Sequence, residues 1–210
     1  MGVRSDFDPE ELDSRAFYRL LTAVIVPRPI AWVSSLSADG IPNVAPHSFF
    51  TVSCVEPPVI QFTSVGRKDS LRNIEETGEF VVNLATEALI EKVNATATNF
   101  PAELSEFEEV GLETEPSERV RPPRVAHSPA ALECLLHGTL SFGDSTVVFG
   151  RVVGASIARS VLTDGRPDVR LLRPLGRLGG NQWSRPGEVV ELERFSYEQW
   201  RSSGARSAGD

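Results

Sequence analysis

Residues 27–50 read PRPIAWVSSLSADGIPNVAPHSFF, and the fold turns on this stretch. Pro27 and Pro29 fix φ and remove backbone donors, so the chain cannot continue as a helix and enters residues 30–36 extended. That run, Ile30-Ala31-Trp32-Val33-Ser34-Ser35-Leu36, has the β-branched and aromatic character of a strand. Asp39-Gly40 follows where a tight turn needs positive φ, so a second strand over residues 41–50 folds back antiparallel on the first.

Working outward, Asp8-Pro9-Glu10-Glu11-Leu12 has a capping residue, a proline at the first helical position and an acidic first turn, which predicts a helix reaching Leu20. Glu56-Pro57-Pro58 punctuates before a third strand at residues 59–64. Asp69 then reads as the N-cap of a short helix with Leu71 and Ile74 on one face and Gly78 as its stop. A strand over 79–84 and a helix over 86–97 come next. Residues 99–123 are polar and rich in Glu and Pro, a long excursion that is either a lid or an ordinary surface loop. Residues 131–142 alternate apolar and polar, the period of a half-buried strand, and Gly143-Asp144-Ser145 turns the chain into a last strand at 146–157. Strands joined by tight turns, with only short helices between them, predict a mostly β fold. We expect an antiparallel barrel with peripheral helices over a single domain of residues 1–210, with a frayed tail over 202–210.

A net charge of −8 in 210 residues offers no basic face for nucleic acid. No apolar run approaches the length of a membrane span, and the first residues lack the apolar core of a signal peptide, so a cytoplasmic protein is expected. Cys54 and Cys134 lie in apolar stretches and read as buried, reduced thiols. His47, His127 and His137 lack ligand-like spacing, and dinucleotide-binding, phosphate-loop and nucleophile-elbow motifs are absent.

Polar residues gather instead at strand ends: Ser34 and Ser35, residues 43–48, Thr63-Ser64, then Arg67-Lys68-Asp69-Ser70. Hydroxyls, two cations and the N–H groups of a helix start suit a phosphate. The same residues also suit a capped helix with solvated neighbours, and composition alone leaves both readings open. Asp69 complicates the first, since a carboxylate at that helix end repels a phosphate.

Four ordered blocks go further: Pro27-Arg28-Pro29-Ile30-Ala31-Trp32-Val33-Ser34, Pro42-Asn43-Val44-Ala45-Pro46-His47-Ser48-Phe49-Phe50, Lys68-Asp69-Ser70-Leu71-Arg72-Asn73-Ile74 and Gly78-Glu79-Phe80-Val81-Val82-Asn83-Leu84. With them the chain, from Phe17 to Trp183, resembles the flavin reductase-like family of FMN-binding split barrels. The resemblance implies that Ser34, Asn43, Ala45, Pro46, His47 and Ser48 line the flavin ring and ribityl chain, largely through backbone groups. It implies that Thr63, Ser64, Lys68 and Ser70 hold the phosphate, with Arg67 beside them. It further implies a homodimer with FMN between subunits, and Leu178-Gly179-Gly180-Asn181-Gln182-Trp183 as the late segment near the flavin, with Trp183 where the family usually has Tyr. The flavin then carries the redox chemistry, with no catalytic side chain required. The expected activity is hydride transfer from NADH or NADPH, bound transiently, to the flavin, with electrons passed to an acceptor or a partner monooxygenase. The alternative is an electron-carrier flavoprotein that never reacts with nicotinamide.

Overall fold

The computed structural model describes residues 2–202, so the expected frayed tail lies, from residue 203 onward, outside the described residues. Seven strands form the main sheet: β1 (Ala31–Leu36), β2 (Pro42–His47), β3 (Phe50–Cys54), β4 (Val59–Val65), β5 (Glu79–Leu84), β6 (Ala130–Phe142) and β7 (Ser145–Ile157). All neighbours are antiparallel, in the order β2-β1-β5-β6-β7-β4-β3. Gly40, at φ 86°, turns β1 into β2, and Ala31 pairs with His47 at the far end of that hairpin.

The single strand expected over 41–50 is two strands. β2 pairs with β1 and β3 with β4, at opposite edges of the sheet, yet only residues 48 and 49 join them. So short a link brings the two edges together only if the sheet rolls up, which makes it a barrel. The β2 and β3 edges are not paired with each other, so the seam between them stays open, while at the crossing the β3–β4 ladder runs one rung further, the Phe49 carbonyl accepting the Thr63 N–H at 2.9 Å. The fold is therefore an antiparallel split barrel with short helices around it.

Strand β1 is buried on both faces. Ala31 and Val33 join Phe62, Leu71, Ile74, Phe80, Cys134 and Val148 inside the barrel. Trp32 and Ile30, on the other face, pack with Val44, Val93, Phe107 and Leu112. The inner layer is covered by α2 (Asp69–Thr77), the outer by α3 (Ile90–Ala95) and α4 (Glu106–Glu109). Residues 99–123 are thus no loose surface loop, since Phe107, Leu112 and Val120 are buried. The far part is tied down by Glu133, whose carboxylate accepts the Arg119 N–H at 2.6 Å and meets Arg124 at 3.2 Å.

Two helix starts differ from expectation. The Asp8 carboxylate accepts the Glu10 N–H at 2.8 Å and closes a local turn, so α1 (Ser14–Val24) begins later, capped by Asp13 through the Ala16 N–H. In α2 the N-cap position is Lys68, and Asp69 is the first helical residue, paired with Arg72. Gly78 ends α2 at φ 74°, as its position predicts. Cys134 is buried, while Cys54 is only half-buried because β3 lies at the sheet edge.

Candidate functional site

Where the seam stays open, a cavity of about 270 Å³ forms between β2, the end of β4, the start of α2 and the segment that follows α3. Asn43, Ala45, Pro46 and His47 of β2 line it, with Ser48 in the crossing to β3. Thr63 faces it from β4, and Lys68 and Ser70 from the start of α2. These eight residues, scattered over 28 positions of sequence, meet because the barrel closes at the β2–β3 crossing.

Three of the expected residues do not line the cavity. The Ser34 hydroxyl is fully buried, donating to the Pro123 carbonyl at 2.6 Å and accepting from the Asn83 amide at 3.1 Å. Ser64 is also buried and donates to the Gly66 carbonyl at 2.9 Å. Arg67 points its exposed guanidinium at Glu75, 2.6 Å away. Trp183 is absent from the cavity wall too, lying under the Arg177 guanidinium at 4.7 Å in a small sheet with the residues that precede β1.

Other side chains arrive that were not named one by one, although the 99–123 excursion read above as a lid or a surface loop contains Asn99, Phe100 and Glu106. Tyr18 comes from α1, residues 96–100 from the end of α3, and Glu106 from α4. Thr96 is fixed by the Trp32 indole N–H, which donates to its hydroxyl at 2.9 Å. Asn99 accepts from the Lys68 ammonium at 2.6 Å, so the cation is held against the wall. The run Thr96-Ala97-Thr98-Asn99, polar directly after an apolar helix face, was the available signal for this wall. Glu106 had none, for its place depends on how Phe107 packs.

The charges are arranged unevenly. Lys68 is the cation on the wall, and the facing carboxylates are Asp69 and Glu106. Arg72 draws off the Asp69 charge, which removes much of the objection to a phosphate there. Glu106 is 5% exposed, and burial pushes its carboxyl above the usual range, against the Val44 N–H that it accepts at 3.1 Å. Burial also pushes His47 down to about 4, with the backbone hydrogen bond to Thr63 opposing. His47 is therefore neutral near neutral pH, its ring 4.6 Å from Phe62 and its Nε2 buried without a partner.

The depressed His47 value carries a pH signature. The unfolded chain takes up a proton on His47 below about 6.5 that the folded chain refuses until about 4, so stability falls as pH drops through that window. Glu106, with a raised folded value, contributes the opposite sign above its unfolded value. A His47→Gln variant isolates the first effect: urea unfolding at several pH values should show a flatter decline than wild type below pH 6.5. Parallel curves for the two proteins would count against a buried neutral imidazole.

Residues 23–172 match the flavin reductase like domain family. A protein of Halalkalibacterium halodurans is 39% identical over 206 residues, covering 92% of this chain and 98% of its own length. Nitrilotriacetate monooxygenase component B from Bacillus cereus superimposes with a TM-score of 0.88 at 34% identity, over 91% of this chain and 100% of that one. The 2-nitrobenzoate 2-nitroreductase NbaA of Pseudomonas fluorescens does so at 0.86 and 33%, over 92% and 98%. On the match across the barrel and these likenesses, the chain belongs to the flavin reductase like family, an oxidoreductase family whose cofactor is a flavin.

Proposed function

We propose that this chain is a cytoplasmic, homodimeric flavin reductase that holds FMN in the seam cavity and accepts hydride from NADH or NADPH. The observation that carries this reading is the donor set of the cavity. Lys68, Ser70 and Thr63 offer an ammonium and two hydroxyls suited to a phosphate, and Ser48 and the partnerless His47 Nε2 suit the hydroxyls of a ribityl chain. Ala45 and Pro46 leave a flat, low wall for a ring. Ser64 and Arg67 contribute no side chain to this wall, and we assign the phosphate to Lys68, Ser70 and Thr63.

When bound, FMN supplies the two-electron chemistry, so the side chains need only bind, orient and exclude water. No protein acid is required, in keeping with a neutral His47. A volume of about 270 Å³ is small for a flavin nucleotide, since pockets for ligands of that size run from about 300 to 1,000 Å³. Val65 on the cavity wall, and Leu140 and Phe142 of β6 on the far side of β7, are 44%, 50% and 60% exposed. An apolar margin on an incomplete pocket supports a second subunit that covers both.

The likeness to a monooxygenase component supports a partner enzyme as electron acceptor. The comparable likeness to a nitroreductase favours a second reading, in which the reduced flavin passes electrons directly to an organic substrate. Anaerobic stopped-flow mixing of FMN-loaded protein with NADH and with NADPH tests the common step. At least one nucleotide should bleach the flavin absorbance; a flavin that only dithionite or a protein donor reduces would make the chain an electron carrier.

A further inference from the structure

We infer that the seam cavity selects FMN over FAD, and that the hydrogen bond between Lys68 and Asn99 is the stop that turns the longer flavin away. This rests on the cavity being the FMN site, and it gives Asn99 a part in choosing the cofactor.

The two residues belong to different walls. Lys68 stands at the start of α2 and Asn99 in the segment that follows α3, 31 positions on, yet the Lys68 ammonium donates to Asn99 Oδ1 at 2.6 Å. Both side chains are exposed and both line the cavity, so their bond crosses its mouth. Thr63 is half-buried and Ser70 buried on the same lining, which sets their hydroxyls deeper. A phosphate held by Thr63, Ser70 and Lys68 therefore lies just inside the bond. FMN ends at that phosphate. In FAD the same phosphorus carries an adenylate, which has to leave through the mouth, and the way out opens only when Lys68 and Asn99 part.

Charge points the same way. The phosphate of FMN is largely a dianion near neutral pH and has three free oxygens, matched by the donors of Lys68, Thr63 and Ser70. In FAD that phosphorus is a diester with one charge and two free oxygens, so it gains less from the ammonium. The second phosphate of FAD meets no waiting cation. Among the described residues Lys68 is the one cation on the wall, against the carboxylates of Asp69 and Glu106. Its basic neighbours are engaged elsewhere: Arg67 with Glu75, Arg72 with Asp69, and Lys92 of α3 with the carbonyls of Val110 and Gly111.

A stop differs from a residue that only steadies the ammonium. Were Asn99 merely placing Lys68, its loss would weaken FAD along with FMN; as a stop, its loss admits FAD. Fluorescence titration of the full-length apoprotein with FMN and FAD, in wild type and in Asn99→Ala, separates the two. Each affinity is taken relative to riboflavin, which has neither phosphate nor adenylate, so a general disturbance of the ring site cancels. Wild type should bind FMN at least about tenfold tighter than FAD. Asn99→Ala should bind FAD about threefold or more tighter than wild type does, the scale of one exposed polar contact, with no gain for FMN. Lys68→Ala, which removes both the bond and the cation, should bring the two flavins within about threefold of each other. A wild-type preference for FMN below about threefold would overturn the selectivity and leave the FMN site standing. FAD binding that is unchanged or weaker in Asn99→Ala would overturn the stop. Failure of wild type to bind FMN at all would overturn the reading on which both rest.

Discussion

Phe80→Ala should destabilise the protein by about 3–5 kcal/mol, the cost of removing a fully buried ring and leaving a cavity that the barrel cannot collapse to fill. Phe80 has no exposed surface and stands inside the barrel with its ring edge-on to Phe62, centroids 5.7 Å apart. Its close partner, beyond the intervening β6, is Gly150 of β7, where an added Cβ would lie 2.2 Å from Cζ and 2.8 Å from Cε1 of the ring. The ring occupies the volume that any other residue at 150 would need. Gly150→Ala alone should therefore cost about 1–3 kcal/mol through overpacking. Combined, the two changes should cost clearly less than their sum, since the new methyl enters the space the ring has left. Urea unfolding with unchanged slope reads all three differences. Strict additivity would mean that β7 shifts away from β5 rather than pressing on Phe80. The same substitution should reach the site, because Phe62 is the ring on which His47 rests.

The barrel was legible wherever a local rule decided it, and illegible where a distant contact did. Asp39-Gly40 and Gly78 mark turns that only glycine adopts readily, and both stand where expected. The break between β2 and β3 has no such mark. Residues 41–50 read as one strand because strand propensity is local, while the change of partner at Ser48 follows from closing a seven-stranded sheet. The start of α1 was misplaced because Asp8 and Asp13 are equivalent caps in sequence, and only the structure shows which N–H each accepts.

The site divides along the same line. Thr63 and Ser64 look alike as hydroxyls beside a phosphate, yet successive residues of a strand face opposite ways, and only Thr63 reaches the cavity. Strict use of that two-residue period would have separated them. It would not have found Glu106 or Asn99, which stand 29 or more positions from Lys68 and Ser70, and which reach the cavity through the packing of Phe107 and the Trp32–Thr96 bond. Family resemblance supplied the β2 and α2 residues, and tertiary packing supplied the opposite wall.

Lys68→Ala should weaken FMN binding at least tenfold, and the reason separates it from its neighbour Arg67. A hydrogen bond to a charged group contributes about 1.5–3 kcal/mol, which is roughly ten- to a hundredfold in affinity. Lys68 can deliver that because it is already placed: its ammonium lines the cavity, Asn99 holds it at 2.6 Å, and the competing Asp69 carboxylate is occupied by Arg72. Arg67, one residue earlier and equally cationic, is committed to Glu75 on the outside of α2, so Arg67→Ala should change affinity by less than about twofold, as exposed ion pairs contribute little. A fluorescence titration with FMN and with riboflavin reads both variants. The Lys68→Ala loss should be confined to FMN, since riboflavin lacks the phosphate, and it should shrink as salt screens the contact. An equal loss with riboflavin would place Lys68 against the ring, and the hydroxyls of Thr63 and Ser70 would then have to hold the phosphate without a cation.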